Sequence, residues 1–268
     1  MSKNYIFDFM LIFRSFILLL IFSLSIQAQE NKSAFQDGEW LRYNVKYGWF
    51  NTTTATLSVE KKNYEGKELL HISGEGRTTG LIDVFFKVRD NFQSYLYPDS
   101  LEPYKFIRNT NEGGYTKDKA IYFDHQDLKA EVHNYKKDTV SQHTIKSKTQ
   151  DLISATYYLR NMVDINKLQK GDEFLLNLFF DEENFEFKTI FVGEEFVETK
   201  FGKILSLKFK PYVKAGRIFD EKESVTIWIT KDKNKIPVKL QADLAVGSLV
   251  ARLDAFKGLA HSFKISQD

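Results

Sequence analysis

From Gly38 onward the chain alternates apolar and polar residues with a period of two, run after run, and this pattern constrains the fold more than any other feature. Leu41, Tyr43, Val45, Tyr47 and Trp49 fall on one face of an extended segment, and Arg42, Asn44 and Lys46 fall on the other. A strand half-buried on a sheet reads this way because successive side chains point to opposite faces. The next run repeats the pattern, with Ala55, Leu57 and Val59 against Thr54, Thr56 and Ser58. Further strands are predicted over 69–78, 83–97, 104–109, 115–123, 129–135 and 140–145. Turn chemistry separates most of them, as in Tyr64-Glu65-Gly66-Lys67, Pro98-Asp99-Ser100 and Asn111-Glu112-Gly113-Gly114.

One segment changes period. Leu152, Ala155, Thr156, Leu159 and Val163 recur at helical spacing, with Asp151 placed to cap the first turn. After Gly171 the alternation returns over 173–180, 185–192, 194–200, 203–213, 224–229, 236–246 and 249–256, with hairpin turns at Gly202 and at Lys233-Asn234-Lys235. The expected fold is all-β: a large antiparallel sheet curled into a barrel-like or sandwich shell, with one α-helix near the middle of the chain. The 24 Phe and 13 Tyr favour pleated sheets, and with no Cys such a fold is held by packing alone.

The N-terminus reads as an address. Lys3 and Arg14 lead into the apolar run SFILLLIFSLSI, which closes on Gln27-Ala28, the layout of a secretory signal peptide. Asp8 and Arg14 argue against a retained membrane span, since each charge at mid-bilayer depth costs roughly 2.5 to 3.5 kcal/mol. The expected organisation is a signal peptide over 1–28, a loose polar segment over 29–36 and a single β-rich domain over 37–268. Localisation is expected in the periplasm or cell envelope. A lipoprotein would need a Cys after the cut, which this chain lacks. The formal charge of +2 gives no strong field toward nucleic acid or an acidic surface.

Four segments stand out as a set. They are Gly38-Glu39-Trp40-Leu41-Arg42-Tyr43-Asn44-Val45-Lys46-Tyr47-Gly48 with the Thr-rich run that follows, the string Asp-Leu-Ile-Ser-Ala-x-Tyr-Tyr-Leu-Arg over 151–160, the hairpin from Val192-Gly193-Glu194-Glu195 to Pro211, and the ending from Ile236-Pro237-Val238-Lys239 to Leu253. Together they resemble an exported bacterial family catalogued as domain of unknown function 3108. The resemblance implies an envelope-associated β protein with no established activity. Where that family's opening usually has a Gly after the first strand, this chain has Trp49-Phe50-Asn51. Some relatives carry names suggesting an exonuclease or helicase subunit. This chain has no Gly-x4-Gly-Lys-Ser/Thr phosphate loop, and an exported protein would meet neither ATP nor chromosomal DNA.

No catalytic constellation is legible, so no enzyme activity and no cofactor are expected. Gly-x-Ser-x-Gly is absent, and Ser154 lies inside the helix, where a hydroxyl bonds back to a carbonyl or packs. His133 and His143 could converge across a hairpin on a metal, but no His-x3-His or His-Glu-x2-His spacing accompanies them. The arginines stand out more: against 30 Lys there are 8 Arg, and a planar guanidinium grips carboxylate or phosphate with two parallel bonds. Arg42, Arg77, Arg89, Arg108 and Arg160 all fall within predicted strands or the helix, as does Arg252. The plain reading is ion pairing along the sheet; the sharper one is a cavity mouth holding an anionic headgroup. Asp151, Ser154, Tyr157, Tyr158 and Arg160 mark the helix motif. Two functions follow. One is a non-enzymatic module binding an apolar or amphiphilic ligand such as lipid, and the other is a structural or assembly protein docking on an envelope partner.

Overall fold

The computed structural model describes residues 33–48, 50–80, 82–213, 224–244 and 247–265. The segment read as a signal peptide lies outside them. The strands are β1 (Trp40–Tyr47), β2 (Phe50–Tyr64), β3 (Lys67–Thr78), β4 (Val88–Leu96), β5 (Pro103–Glu112), β6 (Tyr115–Asp124) and β7 (Lys129–Asn134). They continue with β8 (Thr139–Thr144), β9 (Glu173–Phe180), β10 (Glu183–Thr199), β11 (Gly202–Val213), β12 (Ser224–Thr230), β13 (Pro237–Asp243) and β14 (Ser248–Lys257). All belong to one 14-stranded sheet in the order β8-β7-β6-β5-β4-β3-β2-β1-β14-β13-β12-β11-β10-β9. Every neighbouring pair is antiparallel, so two meanders join where β1 meets β14. The fold is a single curled sheet, not two stacked ones, and its ladder does not close, because β8 and β9 are free edges.

The edges are nevertheless brought together. The segment after β8 forms a parallel bridge from Gln150 to Leu178 of β9, with Gln150 N donating to Asn177 O at 2.8 Å and Phe179 N to Gln150 O at 2.9 Å. Asn184 Nδ2 of β10 donates to Thr144 O at 2.8 Å. A connecting segment thus stands in for the missing β8–β9 ladder.

Two departures from the sequence reading have local causes. The predicted strand over 83–97 begins only at Val88, and a short helix α1 (Ile82–Phe85) precedes it, so a second helix joins the expected one among the described residues. Val84, Phe85 and Phe86 are consecutive and apolar, which breaks the period of two. The two strands predicted on either side of Gly193 are one long strand, β10, with a register shift between Phe191 and Gly193. A lone Gly inside a strand marks a bulge more often than an end.

The main helix α2 (Leu152–Met162) lies inside the curl, contacting β3, β4 and β9. Strand direction gives the shell two ends. Turns β1–β2, β3–β4, β5–β6, β7–β8 and β9–β10 gather at one, here called the rim. The other end, the base, holds turns β2–β3, β4–β5, β6–β7, β10–β11 and β12–β13, together with Ser33–Glu39 and the tail after β14. At the base Gln36 Nε2 donates to Leu259 O at 3.0 Å and Asn234 Nδ2 to His261 O at 3.0 Å. The described end of the segment expected to be loose is therefore docked, with Ala34 and Phe35 buried and the rings of Phe35 and Tyr157 edge to face, their centroids 4.8 Å apart.

Candidate functional site

Asp151 starts α2 with a reciprocal cap. Its Oδ1 accepts from Ile153 N and Ser154 N, both at 2.8 Å, and its own N–H donates to Ser154 Oγ at 2.8 Å. Ser154 Oγ also donates to Asp151 O at 3.2 Å, and Ser94 Oγ of β4 donates to Asp151 Oδ2 at 2.6 Å, which ties the cap to the sheet. Burial pushes the Asp151 carboxyl up to about 6 despite these hydrogen bonds. Within the first turn, Ile153 approaches β3 closely at Gly74, where a Cβ would stand 3.1 Å from its Cδ1. Tyr157 is fully buried, and Tyr158 packs between the core on β2–β4 and that on β9.

At the C-terminal end of α2 stands Arg160, 3 % exposed, with both carboxylate oxygens of buried Glu39 at 2.6 and 2.8 Å. Its Nη2 also donates to Ala34 O and Asn234 O, each at 3.0 Å, and its Nε to Asn234 O at 3.2 Å. Those bonds occupy the guanidinium and knot α2 to the N-terminal segment and to the turn before β13.

The other arginines do not gather with it. Arg42, on the outer face of β1, pairs with Asp254 of β14 at 2.6 Å, and Arg77 is exposed near the rim end of β3. Arg89 holds α1 through Asp83 Oδ1 and Oδ2 at 2.7 and 2.9 Å. Arg252 is exposed on β14. Arg108 shares the inner face of β5 with buried Phe106 and donates to Asp181 Oδ1 at 2.8 Å. Around it the sequence reading missed a cluster: Lys117 donates to Asp181 at 2.8 Å and Lys119 to Glu182 at 2.6 Å. Asp181 and Glu182 form the β9–β10 turn, at φ 47° and 69°. A tight turn of this kind usually takes Asn or Gly, so Asp-Glu carries no hairpin signal in the sequence.

The histidines do not converge. Ala130 and Val132 are buried, so His133 beside them lies on the outer face, where its Nε2 bonds Glu131 at 2.6 Å. His143 pairs with Ala130 on the inner face, its ring 5.5 Å from that of Phe179. Among the described residues no group of three His, Asp or Glu side chains is placed to hold a metal.

What α2 leaves beside it is an apolar cavity in two lobes. The first, about 250 Å³, lies between Leu152, Ala155 and Leu159 of α2, with Val163 just past its end, and Phe187, Thr189, Phe209 and Ile229 of the sheet. The second, about 380 Å³, is walled by Tyr43, Leu57, Gly74, Phe92, Ile153, Leu240 and Ala251. Thr156, Ile227 and Pro237 line both lobes. The walls carry few polar groups. Thr189 Oγ1 and the Tyr43 hydroxyl are buried with no hydrogen-bond partner, and burial raises the Tyr43 phenol above its ordinary range. Toward the rim, Asp90 and Glu75 line the second lobe; burial, and then neighbouring Glu112, push Asp90 up to about 6. Alternation put Tyr43 and Leu57 on the inner face, but nothing in it foretold that α2 would leave space.

The fold and this site define a barrel-like β protein with a helix and an apolar cavity inside its curl. The chain matches the model of the family described as protein of unknown function (DUF3108) over residues 42–254, and it belongs to that family. Among solved structures it is similar to a β-barrel-like protein of domain of unknown function DUF1849 from Brucella abortus. That likeness has a TM-score of 0.51 at 11 % identity, covering 82 % of this chain and 97 % of that one. A crystallised "putative lipoprotein" of Parabacteroides distasonis ATCC 8503 aligns at TM-score 0.33 and 10 % identity, over 84 % of this chain and 98 % of that one. At such identities the first likeness speaks to the fold alone, and the second carries no argument. No curated protein matches.

Proposed function

We propose that this protein is an exported, non-enzymatic binding module that holds an apolar or amphiphilic ligand, such as a lipid, in the cavity beside α2. The observation carrying this reading is the two-lobed space itself. Ligand pockets run to roughly 300 Å³ and more, with apolar walls and a few polar groups that orient the ligand. Lobes of about 250 and 380 Å³ sharing three wall residues match that description. The apolar part of the ligand would lie along α2, and its polar end toward Asp90 and the rim. The signal-like N-terminal run supports placement in the envelope.

The test is titration of lipid-stripped protein with a fluorescent fatty-acid probe, beside Thr156→Phe. Thr156 lines both lobes, so a phenyl ring there is expected to abolish saturable binding while the urea midpoint stays near wild type. Native mass spectrometry should show a co-purified lipid in the parent and none in the variant. Failure of the parent to bind probe or carry lipid would discard the reading in favour of a structural role. Equal binding by both proteins would place the ligand elsewhere.

A further inference from the structure

More than half of the large hydrophobic side chains exposed among the described residues sit at one end of the shell, the rim. The most prominent are in and beside α1: Val84 is 78 % and Phe85 86 % exposed, and Phe86 follows at 52 %. Tyr115 starts β6, Tyr135 follows β7 and Tyr212 lies near the end of β11. Strand direction brings all three to the same end, and each is more than half exposed. Scattered exposed hydrophobics need no explanation, but aromatics concentrated at one end, six of the seven exposed ones among the described residues, do.

These side chains are held outward. Arg89 clamps Asp83 within α1, and Thr78 Oγ1 donates to Asp83 Oδ1 at 2.6 Å, which fixes the short helix at the tip of the β3–β4 connection. Phe86 rests against the next turn, where a Cβ on Gly113 would collide with its ring. Phe85 thus projects from a braced platform.

The charge pattern decides the partner. Exposed lysines accompany the aromatics: Lys87 follows Phe86, Lys136 and Lys137 follow Tyr135, and Lys210 precedes Tyr212. Several acids at this end are engaged by other cations: Asp83 is bound by Arg89, Asp181 by Arg108 and Lys117, and Glu182 by Lys119, while Asp138 and Glu112 also lie at the rim, Asp138 directly after Lys137. The net charge of the chain is small, so the complementarity is local to this end. Aromatic rings with lysines beside them suit the lipid–water interface. The rings take the headgroup level, and the ammonium groups reach anionic phosphates. The second cavity lobe extends toward the same end through Gly76, Glu75 and Asp90.

We infer that the rim docks on the surface of an anionic lipid bilayer, with Phe85 as its deepest side chain. This deepens the cavity reading by naming the place where a lipid would enter, but it rests on the rim alone.

The chain has no cysteine, so Phe85→Cys and Phe196→Cys each create a single labelling position in the full-length protein. Phe196 is 57 % exposed near the base and serves as the control. Each would carry an environment-sensitive fluorophore and be mixed with vesicles of equal parts phosphatidylcholine and phosphatidylglycerol. The label at 85 should shift to the blue and be quenched by nitroxide-bearing lipid several-fold more than the label at 196. Added salt should weaken the effect. Tyr115→Cys, on the neighbouring turn, repeats the measurement if the first substitution disturbs α1. Quenching at 196 equal to or above that at 85 would overturn the inference. So would a shift at 85 that needs no vesicles and grows with protein concentration, since that would mark a second copy of the chain as the partner. A rim that ignores vesicles while the cavity still binds probe would sink this inference and leave the cavity reading standing.

Discussion

Arg160 shows how a candidate ligand group can be engaged by the fold itself. A buried ion pair adds little net stability over apolar residues of the same shape, but removing one partner strands the other, at about 3 to 5 kcal/mol. Arg160→Met should therefore lose roughly that much in urea unfolding, because Glu39 is fully buried. Adding Glu39→Leu should recover most of the loss but not all, since Ala34 O and Asn234 O still lack their donor. Equal stability of the single and double variants would show that Glu39 is not what makes the loss. Asp151 gives a prediction in pH. Its folded pKa, about 6, lies above the ordinary 3.8, so its stabilising contribution is complete below about 3.8 and fades as pH rises through 6. Two units correspond to about 3 kcal/mol. Asp151→Asn keeps an oxygen for the cap and does not titrate. The stability difference between the variant and wild type should move in the variant's favour by about that much between pH 4 and 7. A difference independent of pH would mean that the carboxyl titrates at its ordinary value.

At the scale of elements, legibility followed the physics of alternation. β1, β6 and β14 were readable to within a residue or two, most cleanly β1, where Leu41, Tyr43 and Val45 are buried and the residues between them are not. α2 was readable because its period and its cap agree. α1 was not, since four residues carry too little periodicity, and Phe85 faces outward where a core pattern would turn it in. The cavity was equally illegible: a helix that fills a shell and one that leaves space have the same spacing. Gly74 is where that difference is decided. An added Cβ would stand 3.1 Å from Ile153 and 3.2 Å from Leu57, both wall residues of the second lobe. Gly74→Val should overpack the contact, costing about 1 to 3 kcal/mol, and should weaken probe binding by pressing α2 away from β3. Wild-type stability together with wild-type binding would show that the helix is not wedged there.

The whole molecule is a sheet whose two edges are held together without a ladder between them. An unpaired edge strand is a template for pairing with another chain, and proteins cover or distort such edges. Here the covering element is the segment between β8 and α2, which reaches β9 through the two backbone bonds of Gln150. Asn184 and the Asp181–Glu182 turn add side-chain ties from β10 and its hairpin to β8, β5 and β6. The opposite side of the shell, where β1 pairs with β14 along eight residues of β1, needs no such help. Opening should therefore begin at the seam. Gln150→Pro removes the N–H that Asn177 O accepts and leaves the rest of the ladder intact on paper. Amide exchange should then speed in β9 and along β8 while protection in β1 and β14 stays at the wild-type level, as expected when opening is local. The variant should also associate at high protein concentration, through the edge that the segment no longer covers. Protection lost evenly across all strands would mean that the shell opens as one unit, with the Gln150 bridge only one contact among many.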